Sequence, residues 1–200
     1  MPWPVEPFGD AAWRIARPAG VPGAALFAAL RAWAGVVDVV VAERHVLVTF
    51  DPARPPADPA PALAEAARLA DAPAAARRHV VRVRYDGEDL AAVAAATGLT
   101  VAETIAAHAA ADYEVTMIGF LPGFAYLGGL DERLVLPRRS APRPRVPAGA
   151  VAIAGPYAGV YPLASPGGWH ILGAAIDFRP FSAETGAVLA VGDRVRFEPC

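Results

Sequence analysis

The stretch YEVTMIGFLPGFAYLGG, residues 113–129, joins a segment typical of a β-strand to a loop rich in glycine and proline. Apolar and β-branched residues over 113–118 predict the strand, and Gly119, Pro122 and Gly123 predict tight turns directly after it. Little helical periodicity follows. Similar short strands between turns are predicted further along the chain, over 146–153, around 171 and over 188–197.

Residues 81–200 are therefore predicted to form a mostly β, barrel-like domain with two short helices near its start. The first helix covers 89–96 and ends at Gly98. The second begins with Thr100-Val101-Ala102-Glu103, which has the form of a capping box, and closes at His108. In a capping box the Thr and Glu side chains satisfy free backbone N–H groups of the first helical turn.

Residues 1–80 are predicted to form a smaller α+β domain of ferredoxin-like type. Its first helix, over 21–33, opens with Pro22 and is stopped by Gly35. Two strongly β-type segments with a polar turn between them predict a hairpin over 36–41 and 45–50. A proline-rich connector is predicted over 51–61 and a second helix over 63–69. Two further strands are predicted over 13–16 and 80–85.

The composition excludes several classes of protein. Hydrophobic residues make up 55% of the chain and charged residues 19%, with a formal net charge of -2, which is typical of a globular protein that does not bind nucleic acid. All basic residues are Arg, so no lysine is available for a Schiff base or a phosphate-binding loop. The one Cys, Cys200, rules out a disulfide framework and a cysteine-ligated zinc site.

Neither a secretory signal nor a membrane span is predicted. The first twenty residues have no basic start and no apolar centre, and charged residues interrupt the alanine-rich stretches before they reach the roughly 20 apolar residues that a span needs. A cytoplasmic protein is expected.

Five arginines lie close together in a region of the sequence that has no acidic residue. No carboxylate occurs from Arg133 to Ile176, so these guanidinium groups have no local counter-charge. Two interpretations are open: a solvated basic surface, as most charge runs are, or a site at which guanidinium forks hold a carboxylate or phosphate. The five are Arg133, Arg138, Arg139, Arg143 and Arg145.

Three segments rich in glycine and proline surround these arginines, at 119–129, 145–149 and 161–169. Glycine lets the main chain approach a ligand closely, consecutive turn N–H groups form a concavity for anions, and aromatic rings supply a rigid wall. The alternative is that the segments are only tight corners of the barrel. The residues predicted to line a pocket are Phe120, Pro122, Gly123, Phe124, Tyr126, Arg143, Pro147, Tyr161, Ser165, Pro166, Gly167, Gly168 and Trp169.

His108 shares a helical face with Ile105 and Val101. It is either a hydrogen-bonded core residue or a general acid or base, since an imidazole titrates near neutral pH. No two histidines show the spacing of metal ligands, so no metal site is predicted. Ser165 lacks the Gly-x-Ser-x-Gly elbow of serine hydrolases.

The same segments resemble the allophanate hydrolase subunit 1 family, also called the KipI family or the family of 5-oxoprolinase B-type subunits (PxpB). The resemblance lies in segments that keep the family's order and spacing, and it extends more loosely to Tyr85-Asp86-Gly87-Glu88-Asp89-Leu90 and His108. The segments are Gly119-Phe120-Leu121-Pro122-Gly123-Phe124, Tyr126-Leu127-Gly128-Gly129, Pro137-Arg138-Arg139 with Arg143, Arg145-Val146-Pro147-Ala148-Gly149, Tyr161-Pro162 and Ser165-Pro166-Gly167-Gly168-Trp169.

The resemblance implies a cyclophilin-like barrel in a protein that is inactive without its partners. With a C-type partner of the allophanate hydrolase subunit 2 class and a third partner of the A type, such assemblies hydrolyse 5-oxoproline to glutamate at the expense of ATP. Arg145 and Arg143 are then expected to bind anionic groups of a small anionic or amide substrate, and His108 to act as acid or base. ATP and its Mg²⁺ are expected to be held mainly by the partner subunits.

Two other roles occur in the same family. Related domains form the carboxyltransferase part of urea carboxylase, which acts with a biotin-bearing domain, and another member resembles an inhibitor of a sporulation histidine kinase. This chain has no lysine to carry biotin. It also departs from the family pattern at Ala109, Tyr157-Ala158 and Ala174-Ala175, where polar side chains are usual, so its substrate is left open.

Overall fold

A computed structural model describes residues 4–17, 19–56, 58–70 and 76–200. The chain divides into two compact units, Met1–Ala76 and Arg77–Cys200. Each unit has a hydrophobic core of its own.

The first unit packs two helices against a four-stranded antiparallel sheet of order β1-β2-β4-β3. Its core contains Ile15, Leu26, Leu30, Val46 and Val48, all fully buried. The predicted α+β class, the first helix and the hairpin are confirmed. The elements are β1 (Val5–Pro7), β2 (Ala12–Ala16), α1 (Gly23–Arg31), β3 (Val36–Val41), β4 (His45–Phe50) and α2 (Ala60–Ala70).

The strand predicted over 80–85 does not complete this sheet, and the prediction was wrong in that respect. It forms β5 (Arg78–Arg84) of the second unit, where it pairs in parallel with β15 (Arg194–Pro199). Val81 and Val83 are fully buried in the barrel while the arginines between and beside them are exposed. This alternation indicates a strand with one buried face. Its partner strand lies more than a hundred residues away in the sequence, so the local pattern cannot predict which sheet the strand joins.

The second unit is a closed seven-stranded barrel of order β10-β7-β6-β15-β5-β12-β9, which confirms the predicted barrel. All pairs are antiparallel except β5 with β15, so the barrel is mixed. Two short pairs, β8 with β11 and β13 with β14, lie outside the barrel ladder. The remaining elements are α3 (Leu90–Thr97), α4 (Val101–Ala110), β6 (Tyr113–Ile118), β7 (Ala125–Gly128), a 3₁₀ turn (Glu132–Leu134), β8 (Arg143–Val146), β9 (Ala150–Ala154), β10 (Tyr157–Val160), β11 (Ser165–Gly167), β12 (His170–Ile176), β13 (Phe181–Ser182) and β14 (Gly186–Ala187).

The two helices of this unit begin and end as the sequence predicts. Gly98 adopts the left-handed conformation that closes α3, and Thr100 and Glu103 form the capping box that opens α4. Within the described residues no single helix is long and apolar enough to cross a bilayer. The pair α3 and α4 meets that criterion only when taken together across a 92° bend.

Candidate functional site

The three segments rich in glycine and proline meet on the second unit around the ring of Phe124. This ring is 1% exposed, and its centroid lies 5.2 Å from that of Tyr161 and 5.3 Å from that of Trp169. The third segment is joined to the second by the β8–β11 pair, in which Ser165 lies opposite Val146. Segments distant in sequence therefore share one aromatic cluster, consisting of Phe120, Phe124, Tyr126, Tyr157, Tyr161 and Trp169.

Close backbone approach requires glycine at two positions of this cluster. Gly123 has φ +75°, and a Cβ there would lie 2.7 Å from Phe181 Cβ and 2.8 Å from the Pro180 carbonyl oxygen. A Cβ on Gly167 would overlap the Tyr161 hydroxyl group. Both glycines pack against protein, so at these positions the barrel-corner interpretation applies.

The predicted pocket residues differ widely in exposure. Ser165 is buried, and its hydroxyl donates to the carbonyl oxygen of Pro166 at 3.2 Å. Phe120 is 60% exposed, although its ring contacts those of Phe124 and Tyr161 edge-on. The three prolines in the set, Pro122, Pro147 and Pro166, are all exposed.

Asp89 pairs with two of the five arginines and Glu88 supplies a second negative charge, which corrects the prediction that these arginines have no counter-charge nearby. Its Oδ1 accepts from Arg139 Nη1 at 2.6 Å and from Arg143 Nη2 at 2.7 Å, and its Oδ2 accepts from the Ile171 N–H at 2.7 Å. Arg143 also pairs with Glu88 at 2.7 Å. These acids lie about fifty residues before the arginines in sequence, so only the fold shows that they balance the charge.

Asp89 is 3% exposed and stays ionised because of these contacts. Burial by itself would raise the pKa of its carboxyl group. The hydrogen bonds from Arg143 and from the Ile171 N–H, with the charges of Arg143 and Arg139, hold that pKa below its usual value instead. Arg143 is therefore committed to a buried ion-pair network and is a poor candidate for binding a ligand anion.

Arg145 remains a candidate for anion binding. Its side chain is exposed on β8 and has no hydrogen bond or ion pair to any residue that the structure describes. The same holds for Arg138. Arg133 pairs with Asp131, two residues before it, at 2.7 Å, so the prediction that it has no local counter-charge was wrong.

His108 lies in the barrel core, and the structure argues against its predicted role as an acid or base. Its side chain is fully buried, with Nδ1 2.7 Å from the Tyr85 hydroxyl oxygen and the ring centroid 4.6 Å from that of Phe197. Burial lowers the pKa of the imidazole to about 3, because the low-dielectric core disfavours its charged form. The core interpretation of this residue therefore fits the structure, and His108 is not part of the aromatic cluster.

A groove that the sequence analysis missed lies beside the aromatic cluster. It has a volume of about 480 Å³, and its floor and walls come from three turns and the end of β12. The missed segment is the loop after β12, in which charged residues alternate with aromatic ones and proline. The groove is lined by Ala148, Gly149, Pro162, Leu163, Ala175, Asp177, Phe178, Arg179, Pro180 and Phe181.

Backbone strain marks the loops on both sides of this groove. Among the described residues, Phe120 (φ +75°) and Asp177 (φ +57°) are the non-glycine residues with positive φ. Their loops meet where Gly123 packs against Pro180 and Phe181. Such conformations cost about 1–3 kcal/mol each and concentrate at functional sites, which makes the groove and the adjoining cluster the best candidate site.

Acidic and histidine side chains do not gather into a metal site in the part of the chain that the structure describes. There, no group of three or more His, Cys, Asp or Glu side chains is arranged to hold a metal ion.

Comparison with known families places this geometry among carboxyltransferase domains. Residues 6–187 match the family described as carboxyltransferase domain, subdomain C and D. The chain is 47% identical over 114 residues to the B subunit of 5-oxoprolinase from Escherichia coli O157:H7, a match that covers 56% of this chain and 52% of that protein. It is 44% identical over 122 residues to the corresponding protein of Bacillus subtilis strain 168, covering 58% and 50%. The matches span about half the length of these curated relatives.

Solved structures show the same fold. The protein TTHA0988 superposes with a TM-score of 0.77 at 38% identity, covering 94% of this chain and 40% of that chain. PH0987 from Pyrococcus horikoshii has a TM-score of 0.58 at 33% identity, covering 98% and 97%. The urea amidolyase of K. lactis shares the fold, with a TM-score of 0.73 at 15% identity over 98% of this chain and 15% of that one.

Proposed function

The chain belongs to the carboxyltransferase-domain family, subdomain C and D, and from that membership we propose that it is the B-type subunit of an ATP-dependent 5-oxoprolinase-like amidohydrolase. The reaction opens the lactam of 5-oxoproline to give glutamate, and it requires partner subunits of the C and A types. The observation that carries this proposal is the 44–47% identity to the 5-oxoprolinase B subunits of two bacteria.

The geometry supports a role in holding a small substrate. The groove has apolar walls and one exposed arginine, Arg179, that has no partner among the described residues, which suits a compact ring that carries negative charge. Opening an unstrained amide develops charge on its oxygen, and fixed donors lower the cost of that charge. We assign anion binding to Arg145 and give His108 no chemical step.

The described residues contain no group of three or more His, Cys, Asp or Glu side chains arranged to hold a metal ion, and the sequence has no lysine for a phosphate-binding loop. ATP and Mg²⁺ are therefore assigned to the partner subunits, and no phosphoryl step is routed through this chain. Such an assembly would work in the cytoplasm, where ATP is supplied.

Reconstitution tests the proposal. The chain is combined with its cognate partners of the C and A types, and phosphate release is measured with and without 5-oxoproline. We expect lactam-dependent release that Arg145→Ala reduces about tenfold or more, since a hydrogen bond to a charged group contributes about 1.5–3 kcal/mol. Arg196→Ala is the matched control, because Arg196 is also exposed and unpaired among the described residues but lies on the barrel strand β15. Absence of lactam-dependent release from the full assembly would reject the proposal.

A carboxyltransferase component is the second candidate, favoured by the family that residues 6–187 match. It requires a biotin-bearing protein in the same complex, because no lysine of this chain can carry biotin. Purification of the native complex followed by streptavidin detection separates the two candidates.

A further inference from the structure

The groove beside the aromatic cluster has features of a built ligand site. Its walls are tied together by backbone hydrogen bonds, from the Gly149 N–H to the Tyr161 carbonyl at 2.7 Å and from the Ala175 N–H to the Gly149 carbonyl at 2.8 Å. The Val188 N–H donates to the Pro180 carbonyl at 2.9 Å and fixes the outer loop. A volume of about 480 Å³ falls within the range of small-molecule sites.

The charge in the groove is unbalanced. Asp177 is the one carboxylate among the lining residues, and it is already paired with Arg82 at 2.8 Å. Arg179 also lines the groove, is exposed, and has no hydrogen bond or ion pair to another residue that the structure describes. The groove therefore presents one free guanidinium group next to apolar walls.

The walls favour a compact apolar body over an extended polar one. Phe178 and Phe181 are both half-buried, and Leu163 and Pro162 come from the opposite turn. Aromatic and aliphatic walls of this kind bury the faces of a small ring, and a guanidinium fork holds a carboxylate through two parallel hydrogen bonds.

From these observations we propose that the groove is a binding site for a small ring that bears a carboxylate, with Arg179 as the residue that recognises the carboxylate. The identification of that ring with 5-oxoproline rests on the proposed function. The lactam acid joins a five-membered ring to one carboxylate, which matches the apolar walls and the single free cation.

Direct binding to the full chain provides the first test. Calorimetry with 5-oxoproline compares the natural protein with Arg179→Gln and Arg179→Lys, and 2-pyrrolidinone serves as the ring without the carboxylate. We expect Arg179→Gln to weaken binding about tenfold or more, Arg179→Lys to weaken it less, and 2-pyrrolidinone not to bind. Arg196→Gln, an exposed arginine outside the groove, should bind like the natural protein. Equal affinity in Arg179→Gln and the natural protein would overturn the assignment.

The reconstituted assembly separates this inference from the proposed function. An Arg179→Gln assembly with a raised KM for 5-oxoproline supports the groove even if the isolated chain binds nothing, since a partner then completes the site. An unchanged KM together with no binding to the isolated chain overturns it while the proposed function stands. A third outcome is that the chain binds 5-oxoproline through Arg179 but its assembly never hydrolyses the lactam. This outcome supports the groove as a binding site and rejects the proposed function.

Discussion

Replacing Asp89 by Asn should lower the free energy of unfolding of the second unit more than substitution of any exposed charged residue does. The carboxylate is 3% exposed and accepts hydrogen bonds from Arg139, Arg143 and the Ile171 N–H. It thereby ties the start of α3 to the arginine loop and to the strand that follows Trp169. An Asn side chain has one acceptor oxygen and no charge, so it cannot satisfy the same set.

The size of the expected stability loss depends on how well Arg139 and Arg143 are compensated once the carboxylate is removed. Breaking a buried ion pair by removing one partner costs about 3–5 kcal/mol, because the other charge stays buried without compensation. Arg143 is 13% exposed but keeps Glu88, and Arg139 is 35% exposed and reaches water. We therefore expect the lower end of that range, about 3 kcal/mol.

Urea unfolding, followed by fluorescence in a background where Trp169 is the sole tryptophan, measures this loss in the second unit. Asp86→Asn is the matched control, since Asp86 pairs with Arg84 at 2.5 Å but is 54% exposed. An exposed pair contributes about 0–1 kcal/mol, so the control should change little. A loss in Asp89→Asn no larger than in Asp86→Asn would refute the reasoning.

At acid pH, the natural protein and Asp89→Asn should differ less in their free energy of unfolding. The pKa of Asp89 is lower in the folded protein than in the unfolded chain, where it is about 3.9. The ionised carboxylate therefore stabilises the fold at every pH above this unfolded pKa. That contribution disappears as the pH falls through the folded value. If the difference in unfolding free energy stays constant as the pH is lowered well below the unfolded pKa, the ionised state of Asp89 is contradicted.

Two further substitutions test the core and the groove. Burial lowers the pKa of His108 to about 3, so between about pH 6.5 and pH 3 the imidazole stays neutral in the folded protein while the unfolded chain takes up a proton. The natural protein therefore loses stability as the pH falls through this range. His108→Phe removes this loss, so the stability of the variant should depend less on pH. Urea titrations at several pH values measure this contribution, up to roughly 1.4 kcal/mol per pH unit, and an unchanged slope would contradict it. Gly123→Ala should cost about 2 kcal/mol or more, since φ +75° and the contacts with Phe181 and Pro180 leave no space for a Cβ. Gly119→Ala, in the same loop with nothing within 4 Å of its Cβ position, is the control for a melting-temperature comparison, and equal shifts would show that the loop yields freely.

Features set by neighbouring residues could be read from the sequence. The capping box at Thr100, the left-handed Gly98 and the hairpin of the first unit depend on residues a few positions apart, so their pattern carries the information. The clustering of glycine, proline and aromatic residues likewise indicated where segments meet, and Phe124, Tyr161 and Trp169 do meet.

Features set by partners far along the chain could not be read in that way. The strand β5 alternates as a strand should, but only tertiary pairing with β15 places it in the barrel. The arginines of 139–143 were predicted to be uncompensated because their acid, Asp89, lies about fifty residues earlier. The loop 177–181 carries no distinctive motif, and only the packing of Gly123 against Pro180 brings it to the aromatic cluster.

The sequence by itself determined the class of each unit, because helix caps, strand alternation and turn residues act over a few positions. The tertiary structure alone decided which charges are free, since electrostatic balance depends on distance in space and not along the chain. It buried His108, paired Arg143 and left Arg145 and Arg179 exposed, without hydrogen-bond or ion-pair partners among the residues it describes.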